Sequence, residues 1–163
     1  RAMTAQELGA GGIMAAPGLL GLSIIRELSS APDFHLPIFL HPCFSGPLVL
    51  SADSGVSPFC YYGQFSRLAG ADAAIFTSFG GRFPFTEEVC RKICDGTETE
   101  MGGLRSIFPV PSGGMKWQLF KKMVQVYGPD AIFLVGGALL TESDDLTANM
   151  HFYFEKLNEA VNK

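Results

Sequence analysis

Five short stretches of the chain are apolar almost without a break: 12–16, 36–41, 73–78, 106–111 and 131–135. Continuous apolar runs of this length, rather than alternation, are what strands buried on both faces carry. A turn signal follows each run. Then apolar residues recur at three- and four-residue steps, which predicts helices over about 19–30, 57–69, 85–95, 115–127 and 144–161. In the fourth of these, Trp117, Phe120, Val124 and Tyr127 share a face that Lys121 and Lys122 avoid. Strand starts near 12, 36, 73, 106 and 131 leave room for a crossover in every interval, as parallel strands require. The pattern therefore predicts an α/β fold of five consecutive βα units in a single domain over 1–163. Two architectures accommodate it. One is a flavodoxin-like doubly wound sheet. The other is the carboxyl-terminal part of a TIM (β/α)8 barrel, which takes about 250 residues when complete.

Composition agrees with buried strands and tight turns. Glycine numbers 19 in 163 residues and charged residues make up 17%, against usual shares of about 7% and about 25%. A net charge of −4 with scattered basic residues argues against a nucleic-acid partner. The densest basic group (Arg91, Lys92, Lys116, Lys121, Lys122) reads as solvated helix surface. The uncharged stretches 8–25 and 34–52 are interrupted by glycine, proline and histidine, so neither reads as a membrane span, and no cleavable leader is evident. Cys90 and Cys94 fall on one helical face without ligand histidines, which suits packed free thiols better than zinc. A soluble protein in a reducing compartment is expected, cytoplasmic or in a plastid.

Candidate chemistry gathers at the carboxyl ends of the predicted strands, where both architectures place function. The second strand ends at His41, an imidazole that titrates near neutral pH and suits acid–base work. A structural histidine bonded to a carbonyl fits the same position. The third runs into Gly80-Gly81-Arg82, a hinged loop with a cation that either closes over an anion or faces solvent. The fourth ends in Ser112-Gly113-Gly114 and the fifth in Gly136-Gly137. Two glycine pairs on consecutive strand ends let backbone amides approach a phosphate closely, although each alone also serves as a plain turn. No run of carboxylates follows a strand, so no metal site is expected within the chain.

Taken in order, these motifs resemble the ribulose-bisphosphate carboxylase large-subunit superfamily, and within it the Rubisco-like proteins. The residues that carry the resemblance are 36–46, 67–72, Gly80-Gly81-Arg82, 109–114, and 127–130 leading into Gly136-Gly137. The likeness runs over about 5–140 and is expected to fade after Ala138. It implies that the five units are the fourth to eighth of an eightfold barrel, with an amino-terminal domain and three barrel strands ahead of Arg1. Those segments would bring the magnesium ligands, and the family's site lies between two subunits, so a homodimer or larger homo-oligomer is implied.

By the same resemblance, His41 falls near the reacting carbons and Arg82 where carboxylases carry a mobile-loop lysine. Ser112, Gly113, Gly114, Gly136 and Gly137 fall on the clasp for one substrate phosphate. Pro42 and Ile75 stand where carboxylases carry residues for a second, distal phosphate. Arginine keeps the lysine's charge but is a planar fork rather than a compact ammonium. These departures argue against a carboxylase. They imply Mg2+-assisted enolisation of a phosphorylated sugar-like or keto-acid substrate by an isomerase, enolase or decarboxylase type of lyase, with the chain alone inactive. A noncatalytic phosphate-binding module or a superfamily remnant is the alternative reading.

Overall fold

The computed structural model describes residues 1–51, 53–81 and 83–162. Its elements are α1 (Ala2–Glu7), β1 (Ile13–Ala15), α2 (Pro17–Leu20), α3 (Leu22–Ser29), β2 (Ile38–Leu40) and α4 (Gly46–Val49). A π-helical segment (Phe59–Phe65) then runs into α5 (Ser66–Leu68), β3 (Ala73–Thr77), α6 (Glu87–Glu98) and β4 (Phe108–Ser112). A 3-10 turn (Trp117–Leu119), α7 (Phe120–Tyr127), α8 (Gly137–Leu140) and α9 (Leu146–Val161) complete the described chain.

The sheet order is β1-β2-β3-β4. Parallel pairing sets Ile13 opposite Ile38 and Phe39 opposite Ala73. This sequential order separates the two expected architectures. A flavodoxin-like sheet places its first strand inside, in the order 2-1-3-4-5, whereas β1 lies here at an edge. The fold is the barrel type, and the doubly wound alternative falls.

Three sequence expectations need correction. The run 131–135 forms no strand: it touches β4 through a single bridge, Ser112 to Leu134, with the Leu134 N–H donating to the Pro111 carbonyl at 3.1 Å. Ile132 and Leu134 are exposed, so the run has a ladder on one side only and nothing to extend it. β1 is not buried on both faces either, because Met14 points outward at 58% exposure. The first predicted helix is broken into α2 and α3 at Gly21, whose φ of 81° leaves the helical region.

The chain falls into two compact units, Arg1–Phe76 with Lys92–Pro109, and Thr77–Arg91 with Val110–Lys163. In the first, Ile25 of amphipathic α3 packs with Phe34, Ile38, Leu40, Ala69 and Ala71. Truncating a core side chain such as Ile25 costs about 2–5 kcal/mol through lost transfer energy plus a cavity. The π-helical segment presses Gly63 against the Gly96 backbone, where an added Cβ would come within 2.4 Å of a carbonyl carbon. Arg67 is buried beside that contact. Its guanidinium donates to the carbonyls of Arg105 (2.9 Å), Gly96 (3.5 Å), Thr99 and Leu104 (2.8 Å). It thereby supplies partners to carbonyls at and beyond the end of α6, which the helix itself cannot satisfy.

The second unit is held by aromatic side chains. Phe120 meets Phe133 and Tyr153 at 5.8 and 5.7 Å between ring centroids, and Tyr127 meets Phe133 at 6.1 Å. On α7 the buried residues are Phe120, Met123, Val126 and Tyr127, so Met123 and Val126 take core places that the apolar periodicity assigns to Trp117 and Val124. Asp145 caps α9 by accepting the Ala148 N–H at 2.9 Å. Cys90 and Cys94 are buried on α6 and form no disulfide. Among the described residues no helix is long and apolar enough to cross a membrane.

Candidate functional site

Ser112, Gly113 and Gly114 leave the end of β4 in a loop that only glycine can make. Gly113 and Gly114 have φ of 73° and 79°, a left-handed region that other residues enter at a cost. A Cβ on Gly114 would lie 2.5 Å from the Gly81 Cα, and one on Gly81 would lie 2.6 Å from the Gly113 carbonyl oxygen. The loops after β3 and β4 therefore meet backbone to backbone.

Beneath this contact lies a clamp that sequence reasoning missed. The Ser78 N–H donates to the Ser112 carbonyl at 2.7 Å, and Ser78 Oγ lies 2.7 Å from Tyr127 Oη. Ser78 and Tyr127 are both buried. Burial pushes the Tyr127 phenol up, so it remains a hydroxyl throughout the physiological range. Burial raises the Cys90 thiol as well, and its Sγ lies 3.6 Å from the Thr77 carbonyl. A polar residue ending the apolar run 73–78 marks Ser78 in the sequence. Its partner lies 49 positions away, and nothing local joins the two.

Gly136 and Gly137 follow the bridge residue Leu134, so their loop begins beside Ser112. Both are exposed, and a Cβ on either would meet nothing within 4 Å. The structure thus brings Ser112, Gly113 and Gly114, at the end of β4, into the same unit as Gly136 and Gly137, which follow the Leu134 bridge.

His41 belongs to the other unit, at the end of β2. Its N–H donates to the Ala15 carbonyl at 2.8 Å, and its Nδ1 accepts the Cys43 N–H at 3.1 Å. The neutral ring therefore carries its proton on Nε2, and the side chain is exposed. The following loop is fixed by Ser45 Oγ, 2.6 Å from the Pro42 carbonyl and 2.7 Å from Tyr62 Oη. Phe44 in that loop has a φ of 61°, which a bulky residue rarely adopts. Gly18 permits the packing, since a Cβ there would lie 2.4 Å from the Cys43 carbonyl oxygen. Arg82 lies outside the described residues.

Ile75 is buried at 2% exposure in β3 and serves the core. The described residues contain no group of three or more His, Cys, Asp or Glu side chains able to hold a metal ion. By themselves they do not fit a magnesium site.

No family model matches the chain. Over 136 residues, 81% of its length, it is 38% identical to the 5-methylthioribulose-1-phosphate isomerase of Rhodospirillum rubrum and covers 33% of it. It is 33% identical over 141 residues to the 2,3-diketo-5-methylthiopentyl-1-phosphate enolase of Exiguobacterium sibiricum, a match over 86% of this chain and 35% of that protein. The crystal structure of a Rubisco-like protein from Alicyclobacillus acidocaldarius matches all of the chain with a TM-score of 0.88 at 28% identity, over 43% of its own length. The chain belongs to the Rubisco-like proteins. It spans about a third of the length of these curated relatives and corresponds to the family's carboxyl-terminal barrel region. The match to this structure covers the whole chain, α9 included, so the likeness does not end at Ala138 as expected.

Proposed function

We propose that this chain is the phosphate-holding, carboxyl-terminal barrel part of a Rubisco-like enzyme that enolises or isomerises a phosphorylated sugar-like or keto-acid substrate and does not fix CO2. One observation carries the reading. Ser112-Gly113-Gly114 leaves the carboxyl end of β4, Gly136-Gly137 follows the Leu134 bridge to Ser112, and the second pair is exposed with open space around it. Backbone amides there, with the Ser112 hydroxyl, hold the phosphate; nothing lies within 4 Å of where a Cβ on Gly136 or Gly137 would be. The Tyr127–Ser78–Ser112 clamp keeps the loop in place without touching the ligand.

Enolisation moves a proton from a carbon beside a carbonyl and leaves negative charge on the carbonyl oxygen. In this reading His41, whose Nδ1 accepts the Cys43 N–H, donates a hydrogen bond from Nε2 to such an oxygen. Arg82, outside the described residues, is proposed as a second contributor through its positive charge. Magnesium, if bound in a full-length protein, would supply Lewis-acid chemistry, held by residues outside those described. The working unit is a cytoplasmic homodimer or larger homo-oligomer, and residues 1–163 alone are inactive.

The test is an assay of the full-length protein with the phosphorylated compounds named for its relatives, methylthioribulose 1-phosphate and the diketo-methylthiopentyl 1-phosphate, and with ribulose bisphosphate plus CO2. Turnover of one of the first two without carboxylation is expected. Carboxylation, or inertness toward every phosphorylated carbonyl compound offered, overturns the proposal.

A further inference from the structure

The first unit holds a second candidate anion-binding pocket. A pocket of about 410 Å³ opens beside the amino-terminal ends of β3 and β4, lined among others by Arg26, Arg67, Gly70, Asp72, Arg105 and Ser106. Three guanidinium groups and one carboxylate give it a positive balance in a chain whose net charge is −4. The carboxylate is already engaged, since Asp72 Oδ2 accepts the Ile38 N–H at 2.8 Å. None of the three arginines pairs with a carboxylate among the described residues.

Arg67 is the anchor. It is 4% exposed, and carbonyl oxygens take four of its N–H donors. A guanidinium has five, so one hydrogen on Nη2 is left. Carbonyl dipoles solvate the charge but do not neutralise it, and a buried cation without a counter-ion favours an anion brought beside it. Arg26 and Arg105 are exposed and add charge at the rim. Gly70 keeps the floor low: a Cβ there would strike Ser29 Oγ at 2.3 Å and would lie 3.9 Å from Arg26 Nη1.

We infer that this pocket binds a compact oxyanion, of the phosphate or phosphate-monoester class, separate from any substrate phosphate at the strand carboxyl ends. Arginine suits such a ligand because its fork donates two parallel hydrogen bonds to paired oxygens. A site at the amino ends of the strands stands apart from the reaction, so its occupancy tunes stability or assembly rather than chemistry.

The test is calorimetric titration of the full-length protein with inorganic phosphate, using wild type, Arg26→Gln/Arg105→Gln and Gly137→Ala. Both arginines are exposed, so the double variant keeps its fold, which its unfolding midpoint verifies. Two classes of phosphate site are expected in wild type. The double variant loses one class, weakened by about tenfold or more, while Gly137→Ala loses the other and keeps this one. A double variant that binds phosphate as wild type does overturns the inference, as does a wild type with no phosphate site beyond the one Gly137→Ala removes. Failure of the glycine-loop class alone would strike the proposed function and leave this pocket standing.

Discussion

Two glycine pairs in one unit of this protein look alike in sequence and differ in what constrains them. Gly113-Gly114 is required by the fold: both residues have positive φ, and the Gly81 backbone occupies the place of a Gly114 side chain. Gly137 begins α8 with open space around it, so no close contact demands a glycine there. Where packing explains a glycine, function need not be invoked. Where packing does not explain it, close approach of a ligand becomes the stronger account. The first pair shapes the loop after β4, and the second stays accessible.

Substitutions can break this contrast. Gly114→Ala should be the most damaging, because it adds left-handed strain to a backbone collision; a loss of about 3 kcal/mol or more is expected in denaturant unfolding. A loss below about 1 kcal/mol would mean that the two loops can part. Tyr127→Phe removes the hydroxyl that holds Ser78 and should cost about 1–2 kcal/mol. In the full-length protein it should also weaken phosphate binding, and Ser78→Ala should not add to that effect.

The same clamp has a pH signature. Burial raises the Cys90 and Tyr127 pKa values above their ordinary values of 9.0 and 10.0. Folded groups that hold their protons longer than unfolded ones contribute stability that is complete below the unfolded pKa and is lost as pH rises toward the folded one. Stability should therefore decline above about pH 9, and Tyr127→Phe should flatten the part of that decline above about pH 10. An unchanged slope would exclude the buried phenol as its source.

Gly137→Ala should change stability least, by about 0.5 kcal/mol and in either direction, while weakening phosphate-dependent binding by about tenfold. Equal losses at Gly114 and Gly137, in both stability and binding, would erase the contrast between the pairs.

Much of this was legible in the sequence for identifiable reasons. Short apolar runs ending at His41, Ser78 and Ser112 locate β2, β3 and β4 because buried parallel strands leave an uninterrupted apolar signature. The run 131–135 carries the same signature but gains only one bridge, since a strand exists only where a neighbour completes its ladder. The break at Gly21 was visible as a glycine but not as a helix end, because glycine also survives inside helices. Contacts made over long sequence distances stayed hidden: Gly63 on Gly96, Gly81 on Gly114, and Ser78 with Tyr127. At the site, the residue types could be read, but only the structure separates the constrained glycine pair from the open one.

The most direct test is a crystal structure of the full-length protein with its phosphorylated substrate bound. The phosphate is expected beside Ser112, within hydrogen-bond reach of the Gly113, Gly114, Gly136 and Gly137 amides. A phosphate held elsewhere, with those amides facing only solvent, would contradict the proposed role of both glycine pairs.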